Sequence, residues 1–356
     1  MGTNVFLGAE SLRGGSGGIA RVARLVARVL GEEVQTGRLC GRCVVLSDPQ
    51  PCGGFPFPVR TARGGRLRFL WETHKAAFGF SHFLYDFLGL ARAHCRLPYL
   101  RRPFLAWMHG LEVWEAARPA WLKAARRADI LVSNSAFTRE RAASLHGGFA
   151  QAHVCWLGTE SDEPLKPQRK TSTPPTVLII GRVRLDRDKG HTALIDAWPK
   201  VVAAVPDARL LMVGTGPDLA HFQQKAAASP VAPRIEVRGF VPDEKMEDVW
   251  SEATLFAMPS RGEGFGLVYI EAMRHSLPVI ASVHDAAPEI NIEGETGYNV
   301  DLEKREELPE RIIYLLKNPE QAAALGRGGE SRWAKHFSYS AFKARFLPLL
   351  AELLDR

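Results

Sequence analysis

The sequence predicts an α/β fold with two parallel-sheet domains, and three features of the chain support this expectation. Short apolar segments alternate with segments whose apolar residues recur at helical spacing, which is typical of parallel sheets. The chain has 356 residues, more than one ordinary hydrophobic core accommodates. A polar, proline-rich stretch over residues 158–175 interrupts the alternation, which then resumes. We therefore expect two Rossmann-like, doubly wound domains joined by a linker.

The first domain is expected over residues 1–165. A predicted strand at 4–9 leads into the glycine-rich loop 13–18 and then into an amphipathic helix. The stretch Phe78–Leu90 is apolar and rich in aromatic residues, and we interpret it as a helix. Such a helix could lie in a lipid interface or in the core of the domain. Further strands are predicted at 44–47, 103–108 and 129–133.

The second domain is expected over residues 176–335. A final apolar-striped helix within 336–356 is expected to pack back toward the first domain. Strands of the second domain are predicted at 176–180, 209–213, 235–237, 255–258 and 278–281.

Charge is distributed unevenly along the chain. Residues 1–165 contain 21 Lys and Arg against 13 Asp and Glu, a net charge of +8, whereas residues 166–356 have a net charge of −1. A basic half suggests an anionic partner such as nucleic acid, an acidic membrane surface or a phosphate-bearing substrate. A solvated basic surface without a partner is the alternative.

The chain carries no apolar run of about 18 residues and no pattern typical of a secretory signal. Five cysteines without an export signal favour reduced thiols in a cytoplasmic protein. Cys40 and Cys43 have the spacing of a zinc pair, but there is no second close pair, so no metal site is expected.

The loop after the strand predicted at 176–180 carries two cations that suit a phosphate group. Arg182 and Lys189 lie between the end of this strand and a helix that starts near His191. Ligands of open α/β sheets bind at the carboxyl ends of strands, and helix N-termini favour anions. A diphosphate-binding loop is one interpretation, and a solvated charged loop is the other.

A second loop, over residues 261–266, is rich in glycine and precedes another predicted helix. Its glycines allow close approach of a ligand to the amides of Gly266, Leu267 and Val268. Glu263 and Glu271 flank these amides. The two carboxylates could accept hydrogen bonds from sugar hydroxyls, act as the acid and base of a hydrolase, or have only capping and surface roles.

Taken in order, these motifs resemble the retaining glycosyltransferases of family 4, which have the GT-B fold. Glu263-Gly-Phe-Gly-Leu-Val-Tyr-Ile-Glu271 is similar to the E-x7-E motif of that family, and Gly181-Arg182 and Lys189-Gly190 are similar to its diphosphate-binding segments. The resemblance implies two domains that face each other across a cleft. It also implies transfer with retention of configuration, without a metal or another cofactor.

The resemblance also implies roles for individual residues. Arg182 and Lys189 would neutralise the diphosphate, Glu263 would contact hydroxyls of the transferred sugar, and Glu271 would contact the ribose. His109 would lie near the reacting sugar. The remaining donor-binding positions implied by the family are Gly17, Gly18, Gly181, Val241, Phe265, Gly266, Leu267 and Val268.

The motifs look most similar to mannosyltransferases of bacterial exopolysaccharide assembly, which implies GDP-mannose as donor and a saccharide or lipid-linked acceptor. A UDP-sugar-dependent transferase acting on a soluble acceptor is the first alternative. A basic nucleotide- or nucleic-acid-binding protein without catalysis is the second, although no nucleic-acid-binding motif is evident. Arginines at 60, 63, 66 and 68 next to apolar residues predict peripheral contact with an anionic membrane, at the inner face of the cytoplasmic membrane.

Overall fold

The computed structural model describes residues 3–15, 17–165 and 174–356. It divides into two compact units, one formed by Met1–Ser161 together with Tyr339–Arg356 and the other by Asp162–Ser338. Of the linker predicted at 158–175, residues 166–173 lie outside the described residues. No helix in the described part of the chain combines the length and apolarity needed to cross a bilayer.

The first unit is built on a sheet of seven parallel strands, in the order β3-β2-β1-β4-β5-β6-β7. The strands are β1 (Thr3–Ala9), β2 (Leu39–Val45), β3 (Val59–Thr61), β4 (His82–Tyr85), β5 (Phe104–Met108), β6 (Ile130–Ser133) and β7 (His153–Val154). Its first helices are α1 (Gly18–Gln35), α2 (Arg66–Ala76), α3 (Leu88–Ala91), α4 (Pro119–Ala125) and α5 (Ala136–His146), with a 3-10 turn at Pro98–Leu100.

The prediction of a helix over Phe78–Leu90 is wrong. The segment contains β4, which pairs with β1 on one side and β5 on the other at the centre of the sheet. All four residues of β4 are buried. A parallel strand that is covered on both faces is apolar at every position, so its sequence lacks the alternation that distinguishes a strand from a helix.

The second unit contains a sheet of six parallel strands, in the order β10-β9-β8-β11-β12-β13. The strands are β8 (Thr176–Ile180), β9 (Arg209–Val213), β10 (Ile235–Gly239), β11 (Leu255–Ala257), β12 (Val279–Ser282) and β13 (Gly297–Val300). Its helices are α6 (His191–Ala204), α7 (Leu219–Ala227), α8 (Met246–Glu252), α9 (Leu267–Arg274), α10 (Ala287–Ile290), α11 (Glu307–Lys317) and α12 (Pro319–His336), with 3-10 turns at Ala232–Arg234 and Asp243–Lys245.

The last helix, α13 (Tyr339–Leu354), belongs to the first unit. The hydroxyl of Tyr339 donates a hydrogen bond of 2.8 Å to Glu32 on α1, and the ammonium of Lys343 lies 2.6 Å from the same carboxylate. The ring of Phe342 packs 6.2 Å from that of Trp107 on β5. The C-terminal helix therefore completes the core of the N-terminal unit.

The five cysteines, all within the described residues, form no disulfide. Cys40 is exposed and Cys43 is buried, because residues three apart on a strand point to opposite faces. Across the described ranges, no cluster of three or more His, Cys, Asp or Glu side chains is arranged to hold a metal ion.

Candidate functional site

Two neighbouring strands of the second unit, β8 and β11, deliver the two glycine-containing loops to the same edge of the sheet. The strands pair in parallel, so their carboxyl ends lie side by side. The loop after β8 leads to α6, and the loop after β11 leads to α9. Carboxyl ends of neighbouring parallel strands are where open α/β sheets bind ligands.

Lys189 and Glu263 join the two loops by an ion pair between the Lys189 Nζ and the Glu263 Oε1. Their side chains are 28% and 13% exposed. Charges that are partly removed from water interact more strongly than charges at an open surface. The residues predicted to bind phosphate and sugar therefore occupy one cluster, in direct contact with each other.

Glycine is required at the two positions where the loops turn into helices. Gly190, before α6, has φ +102°, and a Cβ there would lie 2.7 Å from the ring of Pro259. Gly266, before α9, has φ +90°, and a Cβ there would overlap the ring of Tyr269. The hydroxyl of Tyr269 donates to the carbonyl of Met258 at 2.7 Å, which fixes the first turn of α9 against the end of β11.

The first amides of a helix have no acceptor within the helix, and they form its positive end. Leu267 and Val268 begin α9, with Gly266 as its N-cap residue. The positive end of α9 thus lies at the loop that carries Glu263. Anionic groups bind well in such a place.

Asp188 holds the loop of Lys189 in place, a role that the sequence analysis missed. Its Oδ1 accepts hydrogen bonds from the amides of Gly190 and His191, and its Oδ2 accepts one from the amide of Thr192. Burial raises the pKa of Asp188, but hydrogen bonds from His191 and Thr192 outweigh it and lower the pKa to about 2. An Asp just before a helix is a common N-cap signal and could have identified this residue.

Asp285, after β12, is a second carboxylate that the sequence analysis did not identify. It is 3% exposed and accepts the amide of Glu263 at 2.9 Å and the amide of Ala287 at 3.0 Å. Burial, followed by the negative charge of Glu263, raises the pKa of Asp285 to about 7. No local sequence pattern marks this residue, because its contacts come from two separate loops.

The other predicted donor-binding residues of the second unit follow the strands β8 and β10 or lie on α9. Arg182 is exposed and lies two residues after the end of β8. Gly181 packs beneath Lys189, and a Cβ at this position would lie 2.9 Å from the Lys189 Cδ. Glu271 is half-buried on α9. Val241 follows β10, two strands away from β8 in the sheet.

Phe265 differs from the other predicted donor-binding residues, because its side chain belongs to the core. It is buried and packs edge-on against Phe337, with ring centroids 6.0 Å apart. Any contact that Phe265 makes with a ligand would therefore have to come from its backbone.

The first unit contains the other three predicted site residues. His109 directly follows β5, and Gly17 and Gly18 lie at the start of α1. The Nε2 of His109 donates to the carbonyl of Asp86 at 2.6 Å, which in the neutral imidazole leaves Nδ1 as an acceptor. Asn134 donates to the carbonyl of His109 at 3.0 Å. Gly17 has φ +89° and is the N-cap residue of α1, which begins at Gly18.

The chain is similar in sequence to known glycosyltransferases. The family described as Glycosyl transferases group 1 matches residues 160–332. A GDP-mannose-dependent alpha-(1-6)-phosphatidylinositol monomannoside mannosyltransferase of Mycolicibacterium smegmatis is 32% identical over 71% of this chain and 70% of its own length. A GDP-mannose-dependent monoacylated alpha-(1-6)-phosphatidylinositol monomannoside mannosyltransferase of Corynebacterium glutamicum is 30% identical over 69% of each chain.

Solved structures extend the likeness to the whole fold. A sucrose-phosphate synthase from Thermosynechococcus elongatus superposes with a TM-score of 0.81 at 20% identity, over 99% of each chain. The Anabaena protein Alr3699/HepE, in complex with UDP and glucose, superposes with a TM-score of 0.75 at 17% identity, over 98% of this chain and all of its own. The expectation of two Rossmann-like domains is confirmed, and the chain belongs to the glycosyltransferases of group 1, with the GT-B fold.

Proposed function

We propose that this glycosyltransferase transfers mannose from GDP-mannose to a lipid-linked acceptor, with retention of configuration and without a metal ion. The observation that carries the proposal is the ion pair between Lys189 and Glu263, placed where two loops meet the N-termini of α6 and α9. The names of the relatives from M. smegmatis and C. glutamicum support the donor and the class of acceptor. The more specific link to exopolysaccharide assembly stays a prediction.

The donor diphosphate would be bound by positive charge from three sources. Arg182 and Lys189 supply two cations, and the amides of Gly266, Leu267 and Val268 supply the positive end of α9. Such fixed charges stabilise the negative charge that develops on the leaving diphosphate. The proposal of metal independence rests on this set of charges.

Glu263 and Glu271 would bind the neutral parts of the donor. A carboxylate accepts hydrogen bonds from hydroxyl groups without needing a positive partner in the ligand. We assign hydroxyls of the mannosyl group to Glu263 and the ribose hydroxyls to Glu271. The pairing with Lys189 directs the Glu263 carboxylate toward the phosphate-binding loop, where the transferred sugar is attached to the diphosphate.

In the transfer, the bond between the anomeric carbon and the diphosphate oxygen breaks, and a bond to the acceptor oxygen forms on the same face of the sugar. The acceptor hydroxyl loses its proton to an oxygen of the leaving diphosphate. This route needs no enzymatic base, and it retains the anomeric configuration. The roles of His109, Gly17 and Gly18 stay predictions, which variants of these residues can test.

The first unit would also contact an anionic membrane, where a lipid-linked acceptor resides. Leu67, Leu70 and Trp71 occupy one face of α2, and Leu67 and Trp71 are 82% and 66% exposed. Their i, i+3, i+4 spacing forms a continuous apolar stripe, and Phe69 and Thr73 are buried on the opposite face. In the predicted segment Phe78–Leu90, Phe78 is 75% exposed but most other apolar residues are buried, so α2 carries the larger part of the exposed apolar surface.

Basic residues accompany this stripe. Arg63, Arg66 and Arg68 are exposed before and within the first turn of α2, whereas Arg60 forms an ion pair with Glu72 at 3.3 Å. An exposed apolar stripe flanked by arginines is typical of helices that lie in a lipid interface. A surface depression next to α2 adds further basic and apolar groups, and it is lined by Leu70, His74, Arg92, His94, Arg96 and Leu97.

The donor can be tested with a panel of nucleotide sugars. Purified protein is incubated with GDP-mannose, UDP-glucose, UDP-galactose or UDP-N-acetylglucosamine, together with either phosphatidylinositol vesicles or a soluble saccharide. We expect release of GDP and transfer of mannose to the lipid fraction with the first donor. Transfer from a UDP-sugar to the soluble acceptor would replace the proposed substrates. Nucleotide binding without turnover of any donor would contradict the proposed activity.

A further inference from the structure

Asp285 forms a hydrogen bond with the backbone of a neighbouring loop. It follows β12, while Glu263 follows β11, and these two strands are neighbours in the sheet. The Asp285 Oδ2 accepts the amide of Glu263 at 2.9 Å, and the amide of Ala286 donates to the carbonyl of Glu263 at 3.2 Å. Both backbone polar groups of Glu263 are therefore held by two consecutive residues of the adjoining loop.

The second carboxylate oxygen anchors Asp285 itself. Its Oδ1 accepts the amide of Ala287, the first residue of α10, at 3.0 Å. The side chain of Ser260, near the start of the loop that follows β11, also forms a hydrogen bond with Asp285. The carboxylate thus connects the start of α10 with Ser260 and with the amide of Glu263, both in the loop that follows β11.

This arrangement has an electrostatic cost that an ordinary structural residue would avoid. Asp285 is almost fully buried, and the charge of Glu263 acts on it unfavourably, as the raised pKa of Asp285 records. An Asn at this position could accept only one of the two amides, because its own amide nitrogen would face the other donor. The site needs an acceptor on both sides, and a carboxylate provides it.

We propose that Asp285 is a positioning residue, which holds the backbone of Glu263 so that the Glu263 carboxylate points at Lys189 and at the transferred sugar. This inference rests on the proposed function only for the identity of the sugar-binding group. Its geometric part concerns the loop and can be measured without a substrate. Asp285 would act through Glu263, without touching the donor.

Hydrogen exchange tests the geometric part directly. In Asp285→Asn, backbone amides of residues 261–266 should exchange at least about 10-fold faster than in the wild type, because Asn accepts only one of the two amides, so that either the amide of Glu263 or the anchoring amide of Ala287 loses its acceptor. Asn291→Ala is the matched control: Asn291 is fully buried and hydrogen-bonds Tyr298 and Thr296, away from Glu263. It should leave this exchange unchanged. Wild-type exchange in Asp285→Asn would overturn the proposal.

A double-mutant cycle tests the route through Glu263. Asp285→Asn should lower kcat at least about 10-fold in the wild-type background, with GDP affinity changed less than about 3-fold. In the Glu263→Gln background the same substitution should change kcat less than about 2-fold. Independent, multiplicative losses would overturn the proposal. If Asp285→Asn does not fold, Asp285→Ser, which retains one small acceptor, replaces it in both experiments.

The two hypotheses fail in different ways. A wild-type protein that transfers no sugar from any donor contradicts the proposed function, while the exchange of residues 261–266 still decides whether Asp285 positions the loop. Conversely, an active enzyme whose loop exchanges normally in Asp285→Asn contradicts only the positioning role.

Discussion

The Lys189 ammonium and the Glu263 carboxylate form an ion pair although 74 residues separate them in the sequence. The pair exists because β8 and β11 are neighbours and because each is followed by a loop that ends at a helix N-terminus. One partner is predicted to bind the leaving diphosphate and the other the transferred sugar. The two halves of the donor would therefore be held by residues in direct contact.

Removal of either partner should abolish transfer while the fold persists. Both residues lie in loops, so Lys189→Ala and Glu263→Ala remove little of the core. Loss of charge stabilisation at a leaving group costs on the order of 3 kcal/mol of barrier, which lowers kcat at least about 100-fold. Steady-state kinetics and thermal unfolding check this expectation.

Lys200→Ala provides the control for that experiment, because Lys200 forms an ion pair with Glu306 elsewhere on the second unit. It should retain wild-type kcat. Normal turnover by Lys189→Ala or Glu263→Ala would show that the catalytic cluster has been assigned wrongly.

Transfer should continue in the presence of a chelator. In the proposed mechanism, Arg182, Lys189 and the helix amides would supply the positive charge that a magnesium ion provides in other transferases. We expect the rate in excess EDTA to remain within about 2-fold of the rate without it. A complete loss of activity that Mn²⁺ or Mg²⁺ restores would disprove metal independence.

Binding to anionic vesicles should depend on α2. In sedimentation with phosphatidylglycerol-containing liposomes, Leu67→Ser combined with Trp71→Ser should release most of the bound protein, because the apolar stripe no longer inserts. Replacing Arg63, Arg66 and Arg68 by Ser should weaken binding mainly at low salt, since each arginine contributes about 1 kcal/mol near an anionic surface.

Leu145→Ser is the matched control for the apolar stripe, because Leu145 is an exposed apolar residue on another helix of the same unit, α5. It should bind vesicles as the wild type does. A wild-type protein that ignores anionic vesicles at low salt would refute membrane contact and favour a soluble acceptor.

Asp285 should give the stability of the protein a characteristic pH dependence. Its pKa is raised from 3.8 to about 7 in the folded state by burial and by Glu263, so the folded state holds the proton more tightly. Its contribution to stability is therefore fully present below pH 4 and is lost as the pH rises to about 7. Relative to Asp285→Asn, the free energy of unfolding of the wild type should fall by on the order of 4 kcal/mol between pH 4 and pH 7.

Urea denaturation of the two proteins at several pH values measures this difference. Asp285 also interacts electrostatically with Glu263 and Tyr269. Glu263→Gln should therefore make the free energy of unfolding fall less steeply with pH, without making it independent of pH. If the difference in unfolding free energy between the wild type and Asp285→Asn does not change between pH 4 and pH 7, the raised pKa of Asp285 is contradicted.

Much of the fold could be predicted from the sequence, because helical spacing and short apolar runs are local signals. The strand at Arg209–Val213 was predicted with the bounds that the structure shows. The strand His82–Tyr85 was not, since a strand buried on both faces reads like any other apolar segment. The short strands Val59–Thr61, His153–Val154 and Gly297–Val300 were also missed. Unlike the equally short Leu255–Ala257, none of them is a continuous apolar run, because each contains polar residues or glycine.

The candidate site was predictable to a similar extent. Lys189 and Glu263 could be found because their loops carry recognisable patterns of glycine and charge. Asp285 could not be proposed from the sequence, because its hydrogen bond reaches a loop more than 20 residues earlier in the chain. Phe265 is a predicted donor-binding position because of its place in the motif, but tertiary packing buries its side chain against Phe337.

The most direct test of the account is transfer of labelled mannose from GDP-mannose to a phosphatidylinositol-containing vesicle, followed by NMR determination of the anomeric configuration in the product. We predict that the labelled mannose enters the lipid fraction with the α configuration of the donor, and that Lys189→Ala and Glu263→Ala prevent it. A product of β configuration, or transfer that persists in both variants, would contradict the proposed mechanism.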